Sequence, residues 1–430
     1  MHSHRLDHAP DLVALAAHDP ARFPFLLQSS GDKGWDMLLA LPTEMRRYAG
    51  DEGSTFVADL AAIGQEPVDN PHRLPFTGGW FVFAGYDLLS SFEPSVPAAL
   101  PDDFPLAVLA RVPAGVLVER ATGAAWAVAE TAAQLAELAA SLAEAPAFAA
   151  RPVELVAIGE DEPTAFTDAV VKIKRYIRDG DVFQVNVSRG WEATLAEQVA
   201  APDLYAALRR ANPAPFSALV NFGDCQIVSS SPERLVRVID GWVDTRPIAG
   251  THPRSTDPAE DAALKQRLID SAKERAEHVM LIDLERNDLG RIAVPGTVEV
   301  NELMAVESYA FVHHIESNVR ARLAEGVSAA QILRALFPGG TITGCPKVRC
   351  MQIIRELETA PRRAYTGSLG YINRDGTMDL NILIRTFMQE GNRLRFRAGA
   401  GIVADSDPER ELMETRHKAR GLLRALGVAQ

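Results

Sequence analysis

Tight turns set between short alternating runs constrain this chain more than any other feature. Asp240-Gly241 separates residues 235–239 from 242–251, and Asp375-Gly376 separates 367–372 from 378–386. Glu390-Gly391 leads into a run where Leu394, Phe396 and Ala398 alternate with Arg395 and Arg397, and Gly223-Asp224 separates 216–222 from 226–228. Turn residues that tolerate positive φ make two-residue hairpins, and a hairpin pairs its strands antiparallel. With helical stretches between these meanders, the expected class is α+β, not a doubly wound α/β fold.

A chain of 430 residues is long enough for a large core and for two or three domains of ordinary size. Residues 23–29, 79–86 and 106–118 read as strands without a chemical signature. The stretch 124–150, rich in Ala, Leu and Glu, reads as a helix ending near Pro146, and Pro152 follows. This places a boundary near residue 155, with an amino-terminal region 1–150 and a second region 155–430. The net charge of -13 argues against a sequence-independent nucleic-acid binder, which needs a basic face. Cys225, Cys345 and Cys350 form no C-x-x-C pair, the amino terminus has no apolar signal core, and no run of eighteen apolar residues occurs. The expected setting is the reducing cytoplasm, without a membrane partner.

Chemistry concentrates near the carboxyl end. After the alternating run, Gly399 and Gly401 leave the backbone bare where something comes close, and Ser406 or Asp407 can cap a helix begun by Pro408. Glu411 and Glu414 then share a face, with Lys418 one turn on, and Glu274 and Glu277 repeat the spacing in a second helix. Solvated surface pairs and pairs bridged by a cation both satisfy that spacing. If the two helices face each other, four hard oxygen donors converge, which suits Mg²⁺ better than zinc or copper. A helix starting at Thr167-Asp168 stops at Gly180, after which Phe183, Val185 and Val187 alternate with Gln184, Asn186 and Ser188. That polar face can meet water or orient a polar ligand. The glycine-rich loop 339–347 is no Walker motif, because Pro346 displaces the required Gly-Lys-Ser/Thr; it is either a plain turn and cap or an anion cradle.

Taken together, Gly180-Asp181-Val182-Phe183-Gln184-Val185, Ser230-Ser231-Pro232-Glu233, Thr245-Arg246-Pro247-Ile248-Ala249-Gly250-Thr251 and the stretches 273–290, 339–351 and 398–414 resemble the component I subunits of the chorismate-utilising enzymes. These are anthranilate synthase, aminodeoxychorismate synthase and their isochorismate and salicylate synthase relatives. The resemblance covers most of residues 165–420 in order; residues 1–150 resemble the family's variable half weakly. It implies antiparallel sheets packed as a two-subdomain α/β sandwich with outer helices, chorismate as substrate, and Mg²⁺ as cofactor. By the same resemblance Glu277 and Glu414 are metal ligands, supported by Glu274 and Glu411. Tyr365, Arg385, Gly399, Lys418, Thr341, Gly250 and Thr251 are substrate contacts, and the planar fork of Arg385 suits a carboxylate. Glu233 is the acid that protonates the departing C4 hydroxyl, which requires a raised pKa, and His314 lies near the reacting ring.

Two positions depart from parts of that family. Isochorismate and salicylate synthases carry a water-activating lysine where this chain has Gln184, and glutamine takes no proton at neutral pH. Ammonia is then the expected nucleophile, delivered by a separate glutamine amidotransferase subunit. Many aminodeoxychorismate synthases carry a nucleophilic lysine at the position of Ala249, whereas anthranilate synthases carry alanine, so by the resemblance this position points to anthranilate. Three stretches look closer to aminodeoxychorismate synthase: 366–371 (Thr-Gly-Ser-Leu-Gly-Tyr), 378–386 and 344–347. Leu26-Leu27-Gln28-Ser29 also differs from the Leu-Leu-Glu-Ser of tryptophan-inhibited anthranilate synthases. The reading is an aminodeoxychorismate synthase component I without the lysine, with anthranilate synthase component I as the alternative. A non-catalytic Mg²⁺- or anion-binding homologue would keep the Glu pairs but need neither Glu233 nor Arg385.

Overall fold

The computed structural model describes residues 1–98, 102–143, 146–308 and 312–428. Two antiparallel sheets of twelve and ten strands form its frame, so the α+β expectation holds. At the heart of the first sheet, Phe216–Asn221, Cys225–Ser231, Thr386–Glu390, Arg393–Ile402 and Gln184–Leu195 pair in that order. In the second, Ile248–Pro253, Val312–Arg322, Trp242–Arg246, Arg234–Ile239, Met378–Asn381 and Ser368–Asn373 follow one another. Strands from before and after residue 150 share both sheets: Phe25–Gln28 pairs with Phe216–Asn221, and Gly79–Ala84 with Ser368–Asn373.

Apolar side chains between the sheets hold them together. Phe25 of the first sheet stacks on Phe81 of the second with ring centroids 3.9 Å apart, both fully buried; each such ring contributes about 1.5–3 kcal/mol. Helices Leu12–His18, Ala132–Ser141, Ala201–Ala211 and Pro408–Ala425 share a second core with the first sheet, through residues such as Leu15, Leu138, Leu204 and Leu422. Among the described residues, no helix is long and apolar enough to cross a membrane.

Four sequence expectations are corrected. Residues 106–118 are not one strand but two, Ala107–Val112 in the second sheet and Ala114–Glu119 in the first, with Pro113 at the corner. Residues 378–386 likewise split into Met378–Asn381 and Thr386–Glu390 in different sheets. Ala125–Ala129 is a strand, because its alternate alanines fill close space under the sheet, and the helix starts only at Ala132 behind a Thr131-Gln134 capping box. The helix expected from Thr167 begins a turn earlier, at Pro163. The strand Gln184–Leu195 is buried on both faces over its first eight residues, so its polar face is closed to solvent.

Candidate active site

Glu233 follows the strand Cys225–Ser231 and is tied at its backbone, where its carbonyl accepts from Ile382 N at 3.0 Å. Its side chain lies 4 % exposed. Burial, reinforced by the nearby Glu285 and Glu316 and opposed by Thr341 and the Ile248 backbone, pushes its pKa up to about 8. Glu233 Oε1 and Thr341 Oγ1 are both buried without a hydrogen-bond partner, so their proximity falls short of a bond. Such a carboxyl holds its proton at neutral pH and keeps unused bonding capacity.

Arg385 stands at the corner where the chain passes from the second sheet to the first, at φ +52 in the left-handed region. Its guanidinium forms no ion pair or hydrogen bond with another described side chain, and burial depresses its pKa with only Glu233 opposing. Arg385 is half-buried; a partly desolvated cation without an ion-pair partner carries a cost that an arriving carboxylate relieves. His314, on Val312–Arg322, is 2 % exposed; burial first, then Arg385, lowers its pKa to about 4. Its Nδ1 lies 3.2 Å from the Gly250 carbonyl, which can only accept, so Nδ1 carries the hydrogen and Nε2 the lone pair.

The two Glu pairs lie on helices Ala272–Gly290 and Pro408–Ala425, capped by Ser271 and Asp407. The helices face each other, since Lys418 of the second acts on Glu277 and Lys273 of the first acts on Glu411 and Glu414. Burial raises the pKa of Glu277 and of Glu411. It also pushes Glu414 upward, but Lys418 at 2.8 Å outweighs it and the net shift is downward. Glu277 Oε1 accepts from Gln184 Nε2 at 2.9 Å. The expected convergence of four donors is corrected: among the described residues no three His, Cys, Asp or Glu side chains stand close enough to cage an ion. Mg²⁺ does not require such a cage, because it retains water and binds through one or two protein carboxylates plus substrate oxygens. An oxygen-only pair in which burial penalises the charge of Glu277 fits that ion.

Bare backbone forms the wall between these groups. A Cβ on Gly399 would meet Asn186 Oδ1 at 2.7 Å, Tyr365 OH at 2.8 Å and Val187 O at 2.8 Å; one on Gly401 would meet Gln184 Nε2 at 2.3 Å. Gly399→Ala is therefore expected to cost about 1–3 kcal/mol by overpacking, measured as a lowered urea midpoint. Gly250, at φ +64, packs under Leu268 and Glu274. Ala249 is 7 % exposed and lies opposite Ile315. The side chain of Thr251 lies outside the described residues. The structure thus gathers Glu233, His314, Arg385 and Thr341 in one group, Gln184 with Glu277 in another, and Gly399 with Tyr365 and Asn186 between sheet and loop.

Sequence reasoning missed Glu285, buried beside Glu233 with its pKa pushed up to about 7, chiefly by burial. The signal was present: Glu285 and Asp288 each follow Glu274 and Glu277 by eleven residues, three turns on the same helix face.

The family described as chorismate binding enzyme matches residues 23–424. An anthranilate synthase component 1 of Haloarcula marismortui is 38% identical, covering 98% of this chain and 90% of that protein. The aminodeoxychorismate synthase component 1 of Bacillus subtilis is 49% identical over 62% of this chain and 56% of its own length. Among solved structures, anthranilate synthase component I of Streptococcus pneumoniae superposes with a TM-score of 0.78 at 32% identity, covering 93% of this chain and 92% of its own. The chain belongs to the chorismate-binding enzymes and is a chorismate-utilising enzyme.

Proposed function

We propose that this chain is component I of an aminodeoxychorismate synthase, which aminates chorismate with ammonia to 4-amino-4-deoxychorismate for 4-aminobenzoate and folate biosynthesis. Gln184 carries the choice of ammonia over water. Its amide nitrogen donates to Glu277, and an amide cannot take the proton that a water nucleophile must lose. Ammonia needs no such base. The component naming of the relatives supports a separate glutamine amidotransferase subunit as its source.

In this reading Glu233 gives its proton to the departing C4 hydroxyl, and His314 keeps a neutral, lone-pair-bearing ring nitrogen beside it. Arg385, Tyr365, Thr341, Lys418 and the backbone at Gly250, Thr251 and Gly399 hold the substrate's carboxylates and ring. Glu277 and Glu414 hold Mg²⁺, backed by Glu274 and Glu411. When bound, the metal supplies positive charge that fixes the ring-side carboxylate. The motifs at 366–371, 378–386 and 344–347 support amination at C4.

Ala249 favours a second reading, anthranilate synthase, because it offers no amine for covalent attack; several relatives bear that name. The test is to incubate the purified chain with chorismate, Mg²⁺ and an ammonium salt at mildly alkaline pH, with and without aminodeoxychorismate lyase. We expect 4-aminobenzoate only where the lyase is present. Anthranilate formed without the lyase would overturn the 4-amino assignment in favour of the second reading.

A further inference from the structure

One buried arginine touches three of the segments that carry the wall of this site. Arg362 is 1 % exposed. Its Nη1 donates to the Ile342 carbonyl and to Thr366 Oγ1, both at 3.2 Å, and its Nη2 donates to the Asn186 carbonyl at 2.8 Å. Those acceptors sit one residue after Thr341, one after Tyr365 and two after Gln184. The guanidinium is also packed against Tyr86 at 4.5 Å and Tyr365 at 5.6 Å from the ring centroids.

Glu358 holds that arginine from behind. Its Oε1 accepts from Arg362 Nη2 at 2.6 Å and its Oε2 from Arg362 Nε at 3.0 Å, a bidentate pair. The same carboxylate accepts from Ser188 N at 2.8 Å and from Arg397 Nη2 at 3.2 Å. Ser188 is the partner of Gly399 across the ladder, and Arg397 precedes Gly399 by two residues. One carboxylate and two guanidiniums therefore tie together the loop at Thr341, the turn at Tyr365 and both strands at Gln184 and Gly399. Five donors in a fixed plane can satisfy such divergent acceptors; an ammonium on a flexible stem cannot.

We propose that Arg362, held by Glu358, is a positioning residue that sets the spacing of the substrate-binding wall without touching substrate. This inference rests on the roles proposed above for Thr341, Tyr365 and Gly399. The Glu pairs on the two outer helices are not bonded to Arg362 or Glu358, so the metal side of the site is reached indirectly, through Gln184, whose Nε2 donates to Glu277 at 2.9 Å.

The test is Arg362→Lys, assayed at saturating Mg²⁺ with chorismate varied, then at saturating chorismate with Mg²⁺ varied. Misplacement of the wall is expected to raise KM for chorismate by ~10- to 100-fold, with the Mg²⁺ activation constant within about twofold of wild type. Thr366→Val, which removes a single acceptor from the same guanidinium, should move KM in the same direction by a smaller factor and serves where Arg362→Lys does not fold. A merely structural role predicts fewer folded molecules, hence a lower kcat at unchanged KM; that result in either variant overturns the proposal. Equal losses of chorismate and Mg²⁺ affinity overturn it too. Wild-type protein that turns over no chorismate refutes the functional reading, whereas active wild type with an unmoved KM in the variants refutes the positioning role alone.

Discussion

Glu233→Gln is expected to lower kcat by ~10²–10⁴ while making the protein more stable at alkaline pH. The carboxyl titrates near 4.5 when unfolded and at about 8 when folded, raised chiefly by burial. Between those values the folded state binds more protons than the unfolded state, so stability falls as pH rises through the window. The slope is up to ~1.4 kcal/mol per pH unit. Glutamine has nearly the same shape and does not titrate, which removes the slope together with the acid. Urea midpoints of wild type and variant should coincide near pH 4.5 and diverge up to about pH 8, with the variant above. The wild-type kcat/KM should fall as pH rises past about 8, when the acid loses its proton. Parallel stability curves, or activity retained within tenfold, would remove Glu233 from the acid's role.

How far this site was legible depends on how local each determinant is. The hairpin turns at Asp240-Gly241 and Asp375-Gly376 were readable because the positive φ at Asp240, Gly241 and Gly376 is a property of the turn residues themselves. The Glu pairs were readable because helical spacing puts them on one face, but their separation from one another is set by sheet packing, and no three of them assemble among the described residues. The alternation around Gln184 left open a face that meets water or one that orients a polar ligand. Instead Gln184, Asn186 and Ser188 are all buried: the Gln184 amide nitrogen donates to Glu277, Ser188 Oγ to Glu358, and the Asn186 backbone carbonyl accepts from Arg362, while Gln184 Oε1 and Asn186 Oδ1 have no partner among the described residues. Sheet switching at Pro113 and Arg385 was not readable, because continuing a strand or turning the corner is decided by partner strands distant in sequence: Trp35–Ala40 and Gly79–Ala84 on the two sides of Pro113, Cys225–Ser231 and Arg234–Ile239 on the two sides of Arg385. Nothing in the identity of Arg385 announces a left-handed backbone, so strain at a candidate binding residue appears only in the structure.

That strain gives Arg385 a signature that separates binding from scaffolding. Arg385→Ala removes the guanidinium but keeps a side chain at φ +52, whereas Arg385→Gly removes both the charge and the steric conflict. Losing a carboxylate's bidentate partner costs about 2–5 kcal/mol, so both variants should raise KM for chorismate by ~10²-fold or more. Neither should lose stability, because the lost group is a half-buried cation that makes no ion pair with another described side chain. Arg385→Gly should be the more stable of the two by about 1 kcal/mol, the relief of a left-handed L-residue. Chorismate should raise the unfolding midpoint of wild type by preferential binding to the folded state, and this shift should vanish in both variants. Arg385→Lys keeps the charge without the fork and is expected to fall between wild type and Arg385→Ala in KM. A chorismate KM within threefold of wild type in Arg385→Ala, accompanied by a lowered midpoint, would make the arginine a structural element and leave the substrate's carboxylate to Lys418 and the loop at Thr341.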